Sequence, residues 1–162
     1  MEVVLLADRP DLMAPLAAAY QAQWPDWYGP GGPGDAQADL HLRARRESLP
    51  LGLVLVDGET VLGALAITET GVEGYEHLGP WVGGGWVQPS MRRQGLGARL
   101  LRAAVEQAGR MGIARLYVAT ATAGSLMARV AGWRLVETIA HPGGDLSLFV
   151  IEIGAGQGGG GD

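Results

Sequence analysis

The order of signals along the chain predicts a mixed α/β (α+β) fold built around one sheet, and three observations carry that expectation. Strand and helix patterns follow one another as β-α-α-β-β-β-α-β-α-β-β over residues 1–153. Asp57-Gly58 sits between two apolar runs as a two-residue hairpin turn. A strand ending at Val87 leads through a glycine-containing turn into a strongly periodic helix from Leu96.

At 162 residues the expectation is one domain over 1–153, followed by a low-complexity tail from Gly154 to Asp162. An apolar content of 48% with 18% charged residues fits a globular chain rather than a disordered one. There is no cysteine, which excludes disulfides, thiolate metal sites and a cysteine nucleophile, and no metal site is expected. Met1 to Asp8 is too short and acidic for a leader, and no apolar run reaches membrane-spanning length, so a cytoplasmic protein without membrane partners is expected. The net charge of −5 argues against general nucleic-acid binding. The 27 glycines, with no lysine or asparagine, read as a compositional bias, so an isolated glycine carries little weight.

Glu2 to Ala7 reads as a short strand. Asp8 or Asp11 is placed to cap a helix through Leu12, Leu16 and Tyr20. The stretch from Trp24 to Gly34, with three prolines and four glycines, predicts an irregular loop. Its Trp24, Trp27 and Tyr28 either anchor that loop to the core or wall a substrate site. A second helix is expected over Asp35 to Ser48, with Arg43, Arg45 and Arg46 on a solvated face. Pro50 to Val56 and Glu59 to Thr68 form the hairpin around Asp57-Gly58. A loop from Gly71 to Pro80 carries Glu73, Tyr75, Glu76 and His77. Trp81 to Val87 is a strand interrupted by Gly83-Gly84-Gly85, the pattern of a bulge or close backbone approach. After the Leu96 to Arg110 helix come a strand from Ala114 to Thr120 and a helix opened by Thr122 or Ser125 and ended by Gly132. A hairpin of Trp133 to Ile139 with Leu146 to Ile153 closes the series.

The stretch from Trp86 to Ala108 holds the most chemical information. Gly95 and Gly97 lack a Cβ, so the backbone there can turn sharply and approach a ligand. The first helical turn leaves N–H groups without intrahelical partners and carries the positive end of the helix dipole. Together they make a phosphate seat, with Arg92 and Arg93 placed to add charge. Leu96, Leu100, Leu101, Ala104, Val105 and Ala108 recur at helical spacing, so one face of that helix is buried. A Walker A loop is excluded by the absence of lysine, and a dinucleotide fingerprint by the missing third glycine.

Arg92-Arg93-Gln94-Gly95-Leu96-Gly97, with Val87-Gln88-Pro89 before it, resembles the (Arg/Gln)-x-x-Gly-x-(Gly/Ala) signature of the GNAT superfamily of acyl-CoA-dependent N-acyltransferases. The resemblance implies a three-layer fold, a central mixed and mostly antiparallel twisted sheet with helices on both faces. It implies acetyl-CoA as cosubstrate, contacted by Trp86, Val87, Arg92, Arg93, Gln94, Gly95, Leu96, Gly97, Ala98 and Ser125. In such proteins the turn amides hold the pyrophosphate, and a disruption at the glycine-interrupted strand admits the pantetheine arm. The activity implied is attack of a primary amine of a small molecule or peptide on the acetyl carbonyl in a ternary complex. Oligomerisation as a homodimer is compatible with it.

That reaction needs a base for the ammonium, a donor for the developing oxyanion and an acid for the departing thiolate. The N–H near Val87 is the implied oxyanion contact. Glu76 or His77 is the expected base, with Glu73 and His141 as further candidates. The family often supplies a tyrosine four residues before the glycine that ends the penultimate helix, and here that position is Ala128. Ser125 and Tyr117 are the substitutes for that acid, against the plainer readings of a helix-start serine and a packed aromatic. The missing tyrosine keeps a second reading open, a non-catalytic acyl-CoA-binding regulatory module.

Overall fold

The computed structural model describes residues 1–154. Seven strands form one open sheet in the order β1-β2-β3-β4-β5-β7-β6. They are β1 (Glu2–Leu5), β2 (Leu51–Asp57), β3 (Thr60–Thr68), β4 (Trp81–Val87), β5 (Arg115–Thr120), β6 (Trp133–Ile139) and β7 (Leu146–Glu152). The helices are α1 (Met13–Gln23), α2 (Pro25–Tyr28), α3 (Ala36–Leu42), α4 (Leu96–Arg110) and α5 (Gly124–Arg129). The mixed α/β class and the mostly antiparallel sheet are as expected from the sequence. The tail expected over 154–162 lies, from residue 155, outside the described residues.

Contacts divide the chain into two compact units, Met1–Ala66 with Gly84–Leu100, and Ile67–Gly83 with the residues from Leu101 onward. In the first, β1 pairs antiparallel with β2 from Glu2↔Val56 to Leu5↔Leu53. Residues Leu51 to Val56 of β2 are all buried, so the strand is covered on both faces and reads as a continuous apolar run. Its core gathers Leu6, Leu12, Leu16, Tyr20, Leu40, Val54, Val56 and Trp86, with Trp24 and Tyr28 packed against it. In the second unit, β7 pairs antiparallel with both β5 and β6, and a bulge between Leu135 and Glu137 interrupts the latter ladder. Trp81, Tyr117, Ile139, Leu148 and Val150 form its core. The parallel pairing of β4 with β5 is at Trp81↔Tyr117.

Several local expectations are corrected. Neither Asp8 nor Asp11 caps α1, whose N-cap is Leu12 without a side-chain bond. The carboxylates go to arginines instead, Asp11 to Arg9 at 2.9 Å and Asp8 to Arg46 at 2.6 Å. The Trp24–Gly34 stretch is not wholly irregular, because Pro25 at the first helical position starts the single turn of α2. The helix expected over Asp35 to Ser48 stops at Leu42, although Asp35 caps it as an acidic N-cap should, accepting from Ala38 N at 3.0 Å. Arg45 and Arg46 are exposed, but Arg43 is half-buried rather than on a solvated face. α5 opens at Gly124, with Ala123 as N-cap and no side-chain bond, because the Thr120 hydroxyl takes the Thr122 and Ala123 amides.

Tyr20 ties α1 to β4, its hydroxyl donating to Gly84 O at 2.7 Å. Burial pushes its phenol up to about 12 from 10.0, against the opposing pull of the Arg43 charge. The unfolded chain ionises first, so the stability held in the neutral phenol is whole below pH 10.0 and is lost as pH rises toward about 12. Tyr20→Phe is expected to cost about 1 kcal/mol at neutral pH and to flatten this alkaline loss, as read by urea unfolding across that range.

Candidate active site

The first unit contains the turn singled out by the sequence. Gln88 N donates to Leu62 O at 2.8 Å, holding the end of β4 against β3. Pro89–Met91 then forms a 3₁₀ turn, and Arg92 leaves it in extended conformation. Arg93 takes φ +66° and Gly95 φ +82°, so the chain reverses within three residues before α4 begins at Leu96. A Cβ at Gly95 would meet nothing within 4 Å, so its need for glycine is conformational and the space before the turn is open. The first helical bond runs from Arg99 N to Gly95 O at 3.1 Å. The amides of Leu96, Gly97 and Ala98 therefore precede the helical ladder, and no acidic side chain stands in the first turn. A fifteen-residue helix presents its positive end there.

The structure distributes the expected cosubstrate residues among distinct tasks. Arg92 is engaged with the protein, its Nε donating to Val87 O at 2.9 Å and its Nη2 to Gln23 Oε1 at 2.7 Å. It joins β4, the turn and α1. Arg93, Gln94 and Gly95 are exposed, while Gly97 and Ala98 are partly covered. Leu96 and Trp86 are buried, so from these two the backbone, not the side chain, is available. Leu100, Leu101, Ala104 and Ala108 are buried as the helical spacing requires.

The glycine interruption of β4 is a real departure from strand geometry. Gly84 has φ +63°, and a Cβ there would lie 3.0 Å from Arg43 Nη1. Gly83 and Gly85 meet nothing within 4 Å. Of the aromatic trio, Trp24 and Tyr28 pack around Tyr20, with ring centroids 5.2 and 6.0 Å away, and anchor their segment to the core. Trp27 is exposed, at 53%.

The second unit carries the proposed proton-transfer groups. Glu73, Glu76 and His77 are exposed on the 71–80 loop, and His77 stacks on Tyr75 with centroids 6.0 Å apart. That loop is tethered in a way the sequence did not reveal. Tyr75 OH donates to Glu137 Oε2 at 3.1 Å and Trp81 Nε1 donates to Leu78 O at 3.1 Å. Desolvation and the Glu137 bond raise the Tyr75 phenol. Tyr75 and Glu137 are 62 positions apart, and Glu137 borders the β6 bulge, which no local pattern announces. Tyr117 is 7% exposed with its ring 5.5 Å from Trp81, a core aromatic. Ser125 and Ala128 are exposed on the short α5. His141 is exposed and its Nδ1 accepts from Gly143 N at 3.3 Å. No group of three or more His, Asp or Glu side chains gathers as a metal site among the described residues, and none of their helices is long and apolar enough to cross a membrane.

The model of the acetyltransferase (GNAT) family matches residues 16–130, which run from α1 to the end of α5 and contain the whole turn. The chain belongs to the GNAT acetyltransferase family. Solved structures share the GNAT fold across nearly the whole chain. An aminoglycoside 6′-acetyltransferase type Ii is similar with TM-score 0.73 at 17% identity, covering 94% of this chain and 97% of its own. The yncA protein of Salmonella typhimurium, solved with its cofactor acetyl-CoA, gives 0.69 at 17% identity, covering 94% of each chain. The ribosomal-protein-S18-alanine N-acetyltransferase of Escherichia coli gives 0.62 at 18% identity, again covering 94% of each. No curated protein matches by sequence.

Proposed function

We propose that this GNAT protein transfers the acetyl group of acetyl-CoA to a primary amine of a small molecule or peptide, by direct attack in a ternary complex. The observation that carries the reading is the start of α4, where amides ahead of the helical ladder follow an open left-handed turn and no acidic side chain stands in the first turn. A pyrophosphate is the coenzyme A group that such a seat suits. The residues fit that task without Arg92 reaching the ligand, since its guanidinium holds the turn in place.

In the transfer, the amine nitrogen bonds to the carbonyl carbon, the carbon–sulfur bond breaks, and the ammonium proton passes to a base. The Val87 N–H is the proposed oxyanion donor. Glu76 or His77, both exposed, is the proposed proton acceptor, directly or through water. Exposed Ser125 is the group available to the thiolate, whereas Tyr117 is committed to the core. A thiolate is a good leaving group, so a modest acid suffices.

Thiol release from acetyl-CoA over a panel of amines tests the proposal, together with thermal stabilisation by saturating acetyl-CoA. Both responses are expected, and the absence of stabilisation would overturn the reading. The acidic limb of the pH–rate profile is expected to vanish in either Glu76→Gln or His77→Ala; its survival in both removes these residues as the base. Ala128 at the family's tyrosine position and the burial of Tyr117 favour one second reading, an acyl-CoA-binding regulatory module. Stabilisation without thiol release for any amine is the result it predicts.

A further inference from the structure

The first unit holds a cation without a counter-charge. Arg43 is half-buried, its Nη1 has no hydrogen-bond partner and no solvent contact, and no carboxylate lies within ion-pair distance of it among the described residues. The nearest acid on its own helix, Asp39, accepts the Tyr28 hydroxyl at 2.6 Å instead. The Tyr20 hydroxyl donates to Gly84 O and, like that of Tyr28, offers its oxygen to the guanidinium, but both phenols are neutral and supply no counter-charge. The backbone of Arg43 is fixed at both ends, its N donating to Asp39 O and Leu40 O and its carbonyl accepting from Gly52 N at 2.8 Å. An arginine N–H kept from water without an acceptor is costly. Here Nη1 is held in that condition against Gly84, whose φ is +63° and where an added Cβ would lie 3.0 Å away.

We propose that Arg43 recognises a carboxylate on the acceptor amine, which completes the missing ion pair beside Gly84. This rests on the transferase reading, in which the thioester oxygen meets Val87. Gly84 precedes Val87 by three residues, at most about 10 Å of extended chain, so the carboxylate and the reacting nitrogen are several bonds apart. Arginine suits the task because its planar fork meets both carboxylate oxygens. A purely structural arginine of this burial would be expected to have one of its own acids as partner, as the part-buried Arg9 has in Asp11.

Two measurements test it, one independent of turnover. In the first, binding of N-acetyl-ε-aminocaproate and of its uncharged primary amide is measured by calorimetry in the presence of coenzyme A. The acid is expected to bind about 10- to 100-fold more tightly than the amide, the worth of a charged hydrogen-bonded pair. Arg43→Gln is expected to abolish the difference and Arg43→Lys to keep part of it. Equal binding of acid and amide by the unaltered protein overturns the proposal even if Arg43→Gln fails to fold, and so does a difference that survives in Arg43→Gln.

In the second, kcat and KM are compared for ω-amino acids from glycine to ε-aminocaproate and for alkylamines of the same lengths. Arg43→Gln is expected to raise KM for the longer acids alone and leave kcat unchanged. Turnover of alkylamines and acids with the same kcat/KM overturns the carboxylate site and leaves the transferase reading intact. If every amine is inert while the acid still binds through Arg43, the transferase reading fails and the anion site stands.

Discussion

Gly95→Val is expected to weaken acetyl-CoA binding by about 10- to 100-fold, the loss of one charged hydrogen bond or its equivalent. Gly95 has φ +82° with open space around its Cα, so the added side chain meets no wall. What it cannot do is keep the left-handed conformation cheaply, since a β-branched residue there is strained by about 1–2 kcal/mol. The turn relaxes by rotating the peptides on either side, and the amides entering α4 leave their common direction. Gly58→Val supplies the control, because Gly58 has φ +62° in the β2–β3 hairpin with equally open surroundings. Both variants lose stability, but only Gly95→Val loses the upward shift of Tm that acetyl-CoA produces. Equal losses of that shift would remove the α4 seat as the binding determinant.

Trp81→Ala is the second large effect, a destabilisation of about 3–5 kcal/mol, seen as a fall in Tm on the order of 10 °C. Trp81 is 3% exposed and packs with Tyr117, Ile139, Leu148 and Val150. Its indole also holds the 71–80 loop, donating to Leu78 O and lying so close to Gly71 that a Cβ there would overlap the ring. Removing it opens a cavity and unties the loop carrying Glu73, Glu76 and His77. Trp81→Phe keeps most of the packing and forgoes the Leu78 bond, so about 1 kcal/mol is expected. Gly71→Ala tests the loop contact from the other side, and a neutral result there would show that the loop yields without cost.

Much of the scaffold was legible because its signals are local. The bounds of β4 and α4 are those read from the chain, Trp81–Val87 and Leu96–Arg110, since apolar periodicity, Pro89 and the turn glycines act over a few residues. Asp57-Gly58 announces its hairpin for the same reason. The errors fall where a side chain had a distant competitor. Asp8 and Asp11 look like caps until Arg46 and Arg9 take them. Tyr117 follows the plainer reading of a packed aromatic rather than that of a substitute acid, since Leu116, Tyr117 and Val118 are all buried in β5.

The sequence by itself determined the family, the open turn and the buried face of α4, each written in residue types that constrain backbone or burial directly. Only the tertiary structure decided what the charged and aromatic side chains do. It spends Arg92 on Val87 and Gln23, and it ties Tyr75 to Glu137. It also turns Arg43 from an expected surface charge into a half-buried cation beneath Gly84. The reason is physical. A long polar side chain reaches partners tens of residues away along the chain, and whether its charge is met there depends on which elements fold against it.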